Sequence, residues 1–246
     1  MEDSSIIFGI HPVSAVMQKE PEKILSAWAL RDGERRVSDV VEQLGNYGVK
    51  VQMAPRKTLD SLAFGGNHQG IVIKIKEDSV PGEDELCELV SKTENPLLVV
   101  LDEVTDPHNL GACFRCADAA GVTAIVAPKD RATGLTGTVR KVACGAAETV
   151  PFFQVTNLAR TLDKLRELNV WIIGTAGEAE KLVYDVDLRG SIALVMGAED
   201  KGMRRLTREK CDGLVKLPMM GSVSSLNVSV AGGIVMYEAV RQRIGK

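Results

Sequence analysis

Five runs of almost uninterrupted apolar residues, at 97–103, 122–128, 169–176, 191–199 and 213–218, constrain this chain more than any other feature. Each is far shorter than the roughly 20 residues a membrane-spanning helix needs, so no membrane partner is expected. A strand with one wet face alternates apolar and polar residues, and these runs do not. Near-continuous apolarity is the pattern of strands covered on both faces, as in a parallel sheet. Helical patterns separate several of the runs, at 109–120, 135–148 and 157–169. The expectation is an α/β unit with a mostly parallel sheet and helices packed on both sides.

The first part of the chain alternates in the same way. Strand-like SIIFGI is followed by an amphipathic stretch at 11–19, strand-like KILSAWAL by helical RRVSDVVEQLGNYG, strand-like VKVQMA by helical RKTLDSLAF, and HQGIVIKIK closes the set. This predicts a smaller α/β domain over residues 1–76. EDSVPGEDE, acidic and carrying a Pro-Gly pair, reads as the start of a linker over 77–94, with the larger domain over 95–246.

The N-terminus, MEDSSIIFGI, carries acids where a secretory signal would carry positive charge. Five irregularly spaced cysteines do not form a disulfide framework. A cytoplasmic protein is expected. A formal net charge of −3 runs against a phosphate-binding surface unless the cations are gathered on one side. Arg31, Arg35, Arg36, Lys50, Arg56 and Lys57, then Arg131, Arg140 and Lys141, are the candidates, and solvated helix faces are the alternative reading.

The last helix, over 226–244, begins as LNVSVAGGIVMYEAV and has almost no polar face. Such a helix must be covered on all sides. A second subunit would cover it in a homodimer, with Ala231, Gly232 and Gly233 allowing close approach; burial within one subunit is the alternative.

Ligands of open α/β sheets bind beyond the carboxyl ends of the strands. Here those ends run into glycine-bearing loops at 174–178, 197–202 and 218–227, while LDEVTDPHNLGACFR brings Asp106, Asn109 and Arg115 to a helix start. No two glycines stand in a G-x-G arrangement, so the dinucleotide fingerprint is absent. His11, His68 and His108 are scattered, and Cys113 with Cys116 is a lone C-x-x-C in a helical pattern, so no metal is expected.

LDEVTDPHNLGACFRCADAAG, ALVMGAEDKGMRRL and LPMMGSVSSLNVSVA resemble, in order, the three signature motifs of the SpoU (TrmH-like, SPOUT) RNA 2′-O-ribose methyltransferases. FGIHPV and NHQGIV look like the small substrate-binding domain of its rRNA members, so the resemblance covers almost the whole chain. Asp200 and Lys201 depart from the second motif, standing where relatives usually carry Gly and a variable residue.

The resemblance implies a small L30e-like α/β domain that binds RNA, followed by an α/β domain tied in a trefoil knot. It implies S-adenosyl-L-methionine as cofactor and 23S rRNA as partner, with methylation of a guanosine 2′-hydroxyl in the peptidyl-transferase loop. A tRNA or antibiotic-resistance rRNA methyltransferase, and a non-catalytic RNA-binding assembly factor, are the rivals. By motif correspondence Gly197, Leu217 and Leu226 hold the cofactor through the backbone, with Thr175 and Gly177 lining its pocket. Catalytic roles fall to Asn109, Arg115, Glu199, Ser225 and Asn227.

Methyl transfer from a sulfonium is an in-line displacement with an activated leaving group, and the site must align the sugar hydroxyl and stabilise the developing oxyanion. A guanidinium resists deprotonation, so Arg115 suits charge stabilisation better than the role of base. Bland readings stand beside the others. Glu199 at a helix start is also a dipole partner, Ser225 or Asn109 could cap a helix, and Asn227 inside the last helix would be locally unfavourable.

Overall fold

The computed structural model describes residues 4–31, 35–76, 81–198 and 201–245. It divides into two compact units, one of 1–79 with 135–149, the other of 80–134 with 150–246.

The first unit is built on a four-stranded sheet in the order β1-β4-β2-β3, with β1 (Ser4–Phe8), β2 (Ile24–Leu30), β3 (Val51–Ala54) and β4 (Ile71–Lys76). β4 is antiparallel to both neighbours, and β2 runs parallel to β3. Side chains alternate across a strand, and this alternation divides the core. Ile7, Ile71, Ile73 and Ile75 pack beneath α1 (Ile10–Lys19) and α2 (Arg35–Asn46), meeting Val13, Val16, Met17, Val37, Val40 and Leu44. Phe8 and Val72 point to the other face, against Leu59 and Ala63 at α3 (Arg56–Leu62).

Residues 135–148, expected as one helix of the larger domain, instead form two short helices that pack in this first unit. They are α6 (Gly137–Val142) and α7 (Ala146–Thr149), broken where Cys144 and Gly145 take φ of 54° and 99°. Gly137 lies so close to Phe8 that a Cβ there would sit 2.7 Å from the ring. Arg140, counted among the surface cations from sequence, is buried and paired with the half-buried Glu148.

The second unit carries seven strands in the order β7-β6-β5-β10-β8-β11-β9. They are β5 (Leu97–Asp102), β6 (Ala124–Pro128), β7 (Phe152–Val155), β8 (Trp171–Thr175), β9 (Lys181–Leu182), β10 (Ile192–Gly197) and β11 (Gly213–Lys216). Every pairing is parallel. The central strands β5 and β6 are buried at every residue, as their apolar runs require.

α4 (Glu83–Lys92) and α8 (Leu158–Glu167) cover one face, placing Leu86, Val90, Leu158, Leu162 and Leu165 on Leu98, Val100, Ala193 and Val195. The linker expected over 77–94 is therefore mostly a structural helix. Its apolar residues Leu86 and Val90 recur at helical spacing inside an acidic stretch that reads as solvated. α5 (Pro107–Ala119) and α10 (Val228–Ile244) pack together, and α10 also packs on β10. Gly232 permits this, since a Cβ there would sit 2.7 Å from the Met196 sulfur. Among the described residues, the remaining α-helix is α9 (Arg205–Glu209).

Candidate cofactor and catalytic site

The loops leaving β8, β10 and β11 converge on a cavity of about 330 Å³ lined by Thr175, Gly177, Gly197, Leu217, Ser225 and Leu226, among others. That volume lies within the ordinary range for a small-molecule site. Its apolar lining comes from Met196 and Val215 at strand ends and from Val228, Ala231 and Val235 on α10. Strand pairing carries the loops into place, the Ala176 N–H donating to the Val215 carbonyl over 2.9 Å. The Thr175 hydroxyl donates to the Val195 carbonyl over 3.2 Å.

Gly197 is dictated by packing. A Cβ on it would lie 2.1 Å from the Gly202 carbonyl carbon and from the Met203 nitrogen, so the chain passes over its own β10 end with no room for a side chain. Gly202, at φ +64°, turns that crossing and donates its N–H to the Ala198 carbonyl over 2.8 Å. The crossing is anchored from below. Asp102, fully buried at the end of β5, accepts from the Arg204 backbone N–H at 2.8 Å and from its Nε at 2.7 Å.

Cations and an acid stand among the lining residues. Lys201 and Arg208 are there, and Arg208 is paired with Glu178, whose carboxyl that hydrogen bond holds below the ordinary value. An apolar floor and exposed loop backbone are what a flat heteroaromatic ring with polar edges requires. The residues present fit S-adenosylmethionine on those grounds.

A second cavity, of about 360 Å³, adjoins the first and shares Ala198, Lys201 and Val228 with it. Asn109 lines it, together with Glu103, Asp106 and Arg131. Asp106, not Asn109, caps α5, accepting from the His108 N–H over 2.9 Å. The Asn109 Oδ1 accepts instead from Asn227 Nδ2 over 2.9 Å. Asn227 lies before α10 rather than inside it and is the cap, its Oδ1 taking the Ser229 N–H at 2.9 Å. Its expected local cost is thus absent, and Ser225 is left to the cavity wall.

The five residues assigned to the cofactor by motif therefore share one cavity, with Ser225 beside them. Asn109 lines the adjoining one and bonds to Asn227, which lines neither. Arg115 does not join them. It lies on the exposed face of α5 and lines neither cavity. Glu199 falls outside the described residues, between Ala198 and Lys201. Sequence reading missed the Asp102–Arg204 anchor, although an acid closing an all-apolar strand was a visible signal. Among the described residues, no group of His, Cys, Asp and Glu could hold a metal ion, and no helix is long and apolar enough to cross a membrane.

Comparison with known proteins agrees with this geometry. Residues 96–237 match the SpoU rRNA Methylase family, and residues 6–81 match the RNA 2′-O ribose methyltransferase substrate binding model. The chain is 56% identical over 244 residues to the 23S rRNA (guanosine-2′-O-)-methyltransferase RlmB of Shewanella oneidensis, covering 99% of each. It is 52% identical to RlmB of Escherichia coli K12, covering 98% of this chain and 99% of that one. Among solved structures it is similar to the SpoU methyltransferase AviRb of Streptomyces viridochromogenes in complex with AdoMet. There the TM-score is 0.82 at 23% identity, with 99% and 92% of the two chains covered. The expected fold class, an N-terminal α/β unit followed by a SpoU-type parallel α/β unit, is the one found. Matched in both units and along nearly its full length, the chain belongs to the SpoU family of S-adenosylmethionine-dependent rRNA methyltransferases.

Proposed function

We propose that the chain transfers the methyl group of S-adenosylmethionine to the ribose 2′-hydroxyl of a guanosine in the peptidyl-transferase loop of 23S rRNA. One observation carries the reading: a cavity fit for the cofactor opens beside a second cavity lined by Asn109, whose carboxamide is bonded to that of Asn227. The identity to 23S rRNA guanosine methyltransferases over almost the full length supports the choice of substrate. Similarity to the A. aeolicus TrmH/SpoU tRNA modifying enzyme covers only 65% of this chain, which favours rRNA over tRNA.

The bound cofactor supplies a methyl group on a positively charged sulfur, already activated for displacement without a metal. In this reading the backbone of Gly197, Leu217 and Leu226 holds it, with Thr175 and Gly177 at its edge. Asn109 and Asn227 fix each other's carboxamides and so present a rigid polar wall to the sugar. Ser225 and Glu199 orient the hydroxyl, and Arg115 stabilises the charge that develops on it.

The same reading makes the enzyme a cytoplasmic homodimer. Val230, Ile234 and Tyr237 of α10 are 51%, 38% and 50% exposed, an apolar row that one subunit leaves uncovered. α5 lies alongside, its Ala119 carbonyl accepting from the Tyr237 hydroxyl over 3.5 Å, and Arg115 is exposed one turn earlier on that helix. A partner covering that row would meet Arg115.

The test is methylation of a 23S rRNA fragment in vitro with labelled cofactor, the product located by reverse-transcription stops. A ribose methyl on a peptidyl-transferase-loop guanosine is expected. Methylation of tRNA alone, or no cofactor binding at millimolar concentration by calorimetry, would overturn the reading.

A further inference from the structure

The cavity that adjoins the cofactor's is lined by two non-glycine residues with left-handed backbones, Glu103 at φ +64° and Arg131 at φ +59°. Side chains disfavour that state, and it persists where the surroundings over-determine it, often at ligand sites. Glu103 begins the turn out of β5, and Arg131 lies in the loop that leaves β6. The two segments are tied together, the Thr133 N–H donating to the Val104 carbonyl over 3.0 Å. Their charged side chains meet there, Arg131 Nη1 lying 3.4 Å from Glu103 Oε1.

The two halves of this pair are unequal. The Glu103 side chain is 19% exposed and also stands 3.7 Å from Arg204 Nε, so it is fixed between two guanidiniums. Arg131 is 76% exposed, and its bond to Glu103 is longer than a strong one. A pair of that kind contributes little to stability. The exposed fork can leave the carboxylate for a phosphate, which it matches through two parallel N–H bonds. Asp106, the other acid of the lining, is occupied in capping α5, and Lys201 adds a second cation where the two cavities join.

An anion has to be accommodated at this place. The 2′-hydroxyl and the 3′-phosphate of a ribonucleotide sit on adjacent carbons of one sugar. A cavity that seats the hydroxyl beside the cofactor must therefore receive that phosphate at its edge. We infer that Arg131 clamps the 3′-phosphate of the target nucleotide, and that Glu103 is the placeholder Arg131 leaves when RNA arrives. The inference rests on the methyl-transfer reading and deepens it. Arg131 is a binding residue for the reacting nucleotide, and Glu103 is a positioning residue that acts through it.

The two halves of the pair should then respond with opposite signs, which a purely structural ion pair would not do. In the full chain with a 23S rRNA fragment, Arg131→Gln is expected to lower kcat/KM at least about tenfold, the worth of one charge-assisted hydrogen bond, with cofactor affinity unchanged. The slope of log RNA affinity against log salt should fall by about 0.7, the share of one phosphate of a single strand. Arg131→Lys keeps the charge and should keep the slope, while losing part of the rate along with the fork. Glu103→Gln removes the competing charge and should raise kcat/KM about two- to fivefold, the scale of an exposed ion pair. Melting temperatures should match the wild type in all three variants. Lower activity in Glu103→Gln, or an unchanged salt slope in Arg131→Gln, overturns the inference and spares the functional reading. A wild type that does not methylate the fragment sinks both.

Discussion

The Asp102 carboxylate, wholly buried at the end of β5, grips Arg204 through both of its oxygens, at 2.8 Å to the backbone N–H and 2.7 Å to Nε. Arg204 follows the loop of Lys201, Gly202 and Met203 that walls the cofactor cavity. One ion pair thus joins the sheet core to the site. Removing one partner of a buried pair costs about 3–5 kcal/mol when the other stays buried. Arg204 is 36% exposed and can turn to water, so Asp102→Ala should cost at the lower end of that range. Urea unfolding would read the loss, and calorimetry should show weaker cofactor binding in the protein that remains folded. Wild-type values in both would mean that the loop is held by something else.

Two glycines of the cofactor cavity should behave oppositely. Gly197 has backbone atoms 2.1 Å from where a Cβ would go, whereas Gly177 has nothing within 4 Å. Gly197→Ala must push apart the crossing of β10 by residues 202–203. It should lower the melting temperature and abolish cofactor binding, while Gly177→Ala should melt as the wild type does. Equal melting temperatures for the two variants would contradict the crossing.

Glu83 makes stability depend on acidity. Burial alone would raise its carboxyl, but hydrogen bonds from Lys164 and Thr161 and the charges of Lys164 and Arg160 outweigh that, and the net shift is downward from 4.5. A carboxylate with a lowered folded pKa contributes stability in full above its unfolded value, and the contribution fades as pH falls through the folded value. Glu83→Gln should therefore be less stable than the wild type at pH 7, and the urea midpoints of the two should converge below pH 4. A gap that stays constant down to pH 3 would show that Glu83 acts through its shape and not its charge.

The apolar runs made the sheet of the second unit legible, because burial on both faces leaves no room for polar residues at Leu98, Val100, Ala193 or Val195. What escaped was short or compositionally masked. β9 has two residues, and α4 hides Leu86 and Val90 in an acidic stretch. Periodicity also could not reveal that 135–148 breaks at Cys144 and Gly145 and packs in the first unit. At the site, motif spacing identified residues but not relations. It offered Asn109 and Asn227 separately, with capping as the dull alternative for one and helix interior for the other. Only the fold shows Asp106 taking the cap of α5, Asn227 taking that of α10, and the two asparagines bonded to each other.

Arg115 supplies the sharpest test, because it lines neither the cavity that holds Ser225 and the five cofactor residues nor the one that holds Asn109. If it acts from the neighbouring subunit, Arg115→Ala should lower kcat about 10²- to 10³-fold, the scale of a lost charge-stabilising donor, with cofactor affinity unchanged. Gly197→Ala should be inactive for the opposite reason, its arginine being intact and its cofactor cavity closed. Mixing the two inactive chains makes heterodimers in which one site joins an intact cavity from one subunit to an intact Arg115 from the other. Random exchange would restore about a quarter of the wild-type activity, since half the dimers are mixed and each has one complete site. If Arg115 served its own subunit, every site in the mixture would keep a defect, and no activity would return.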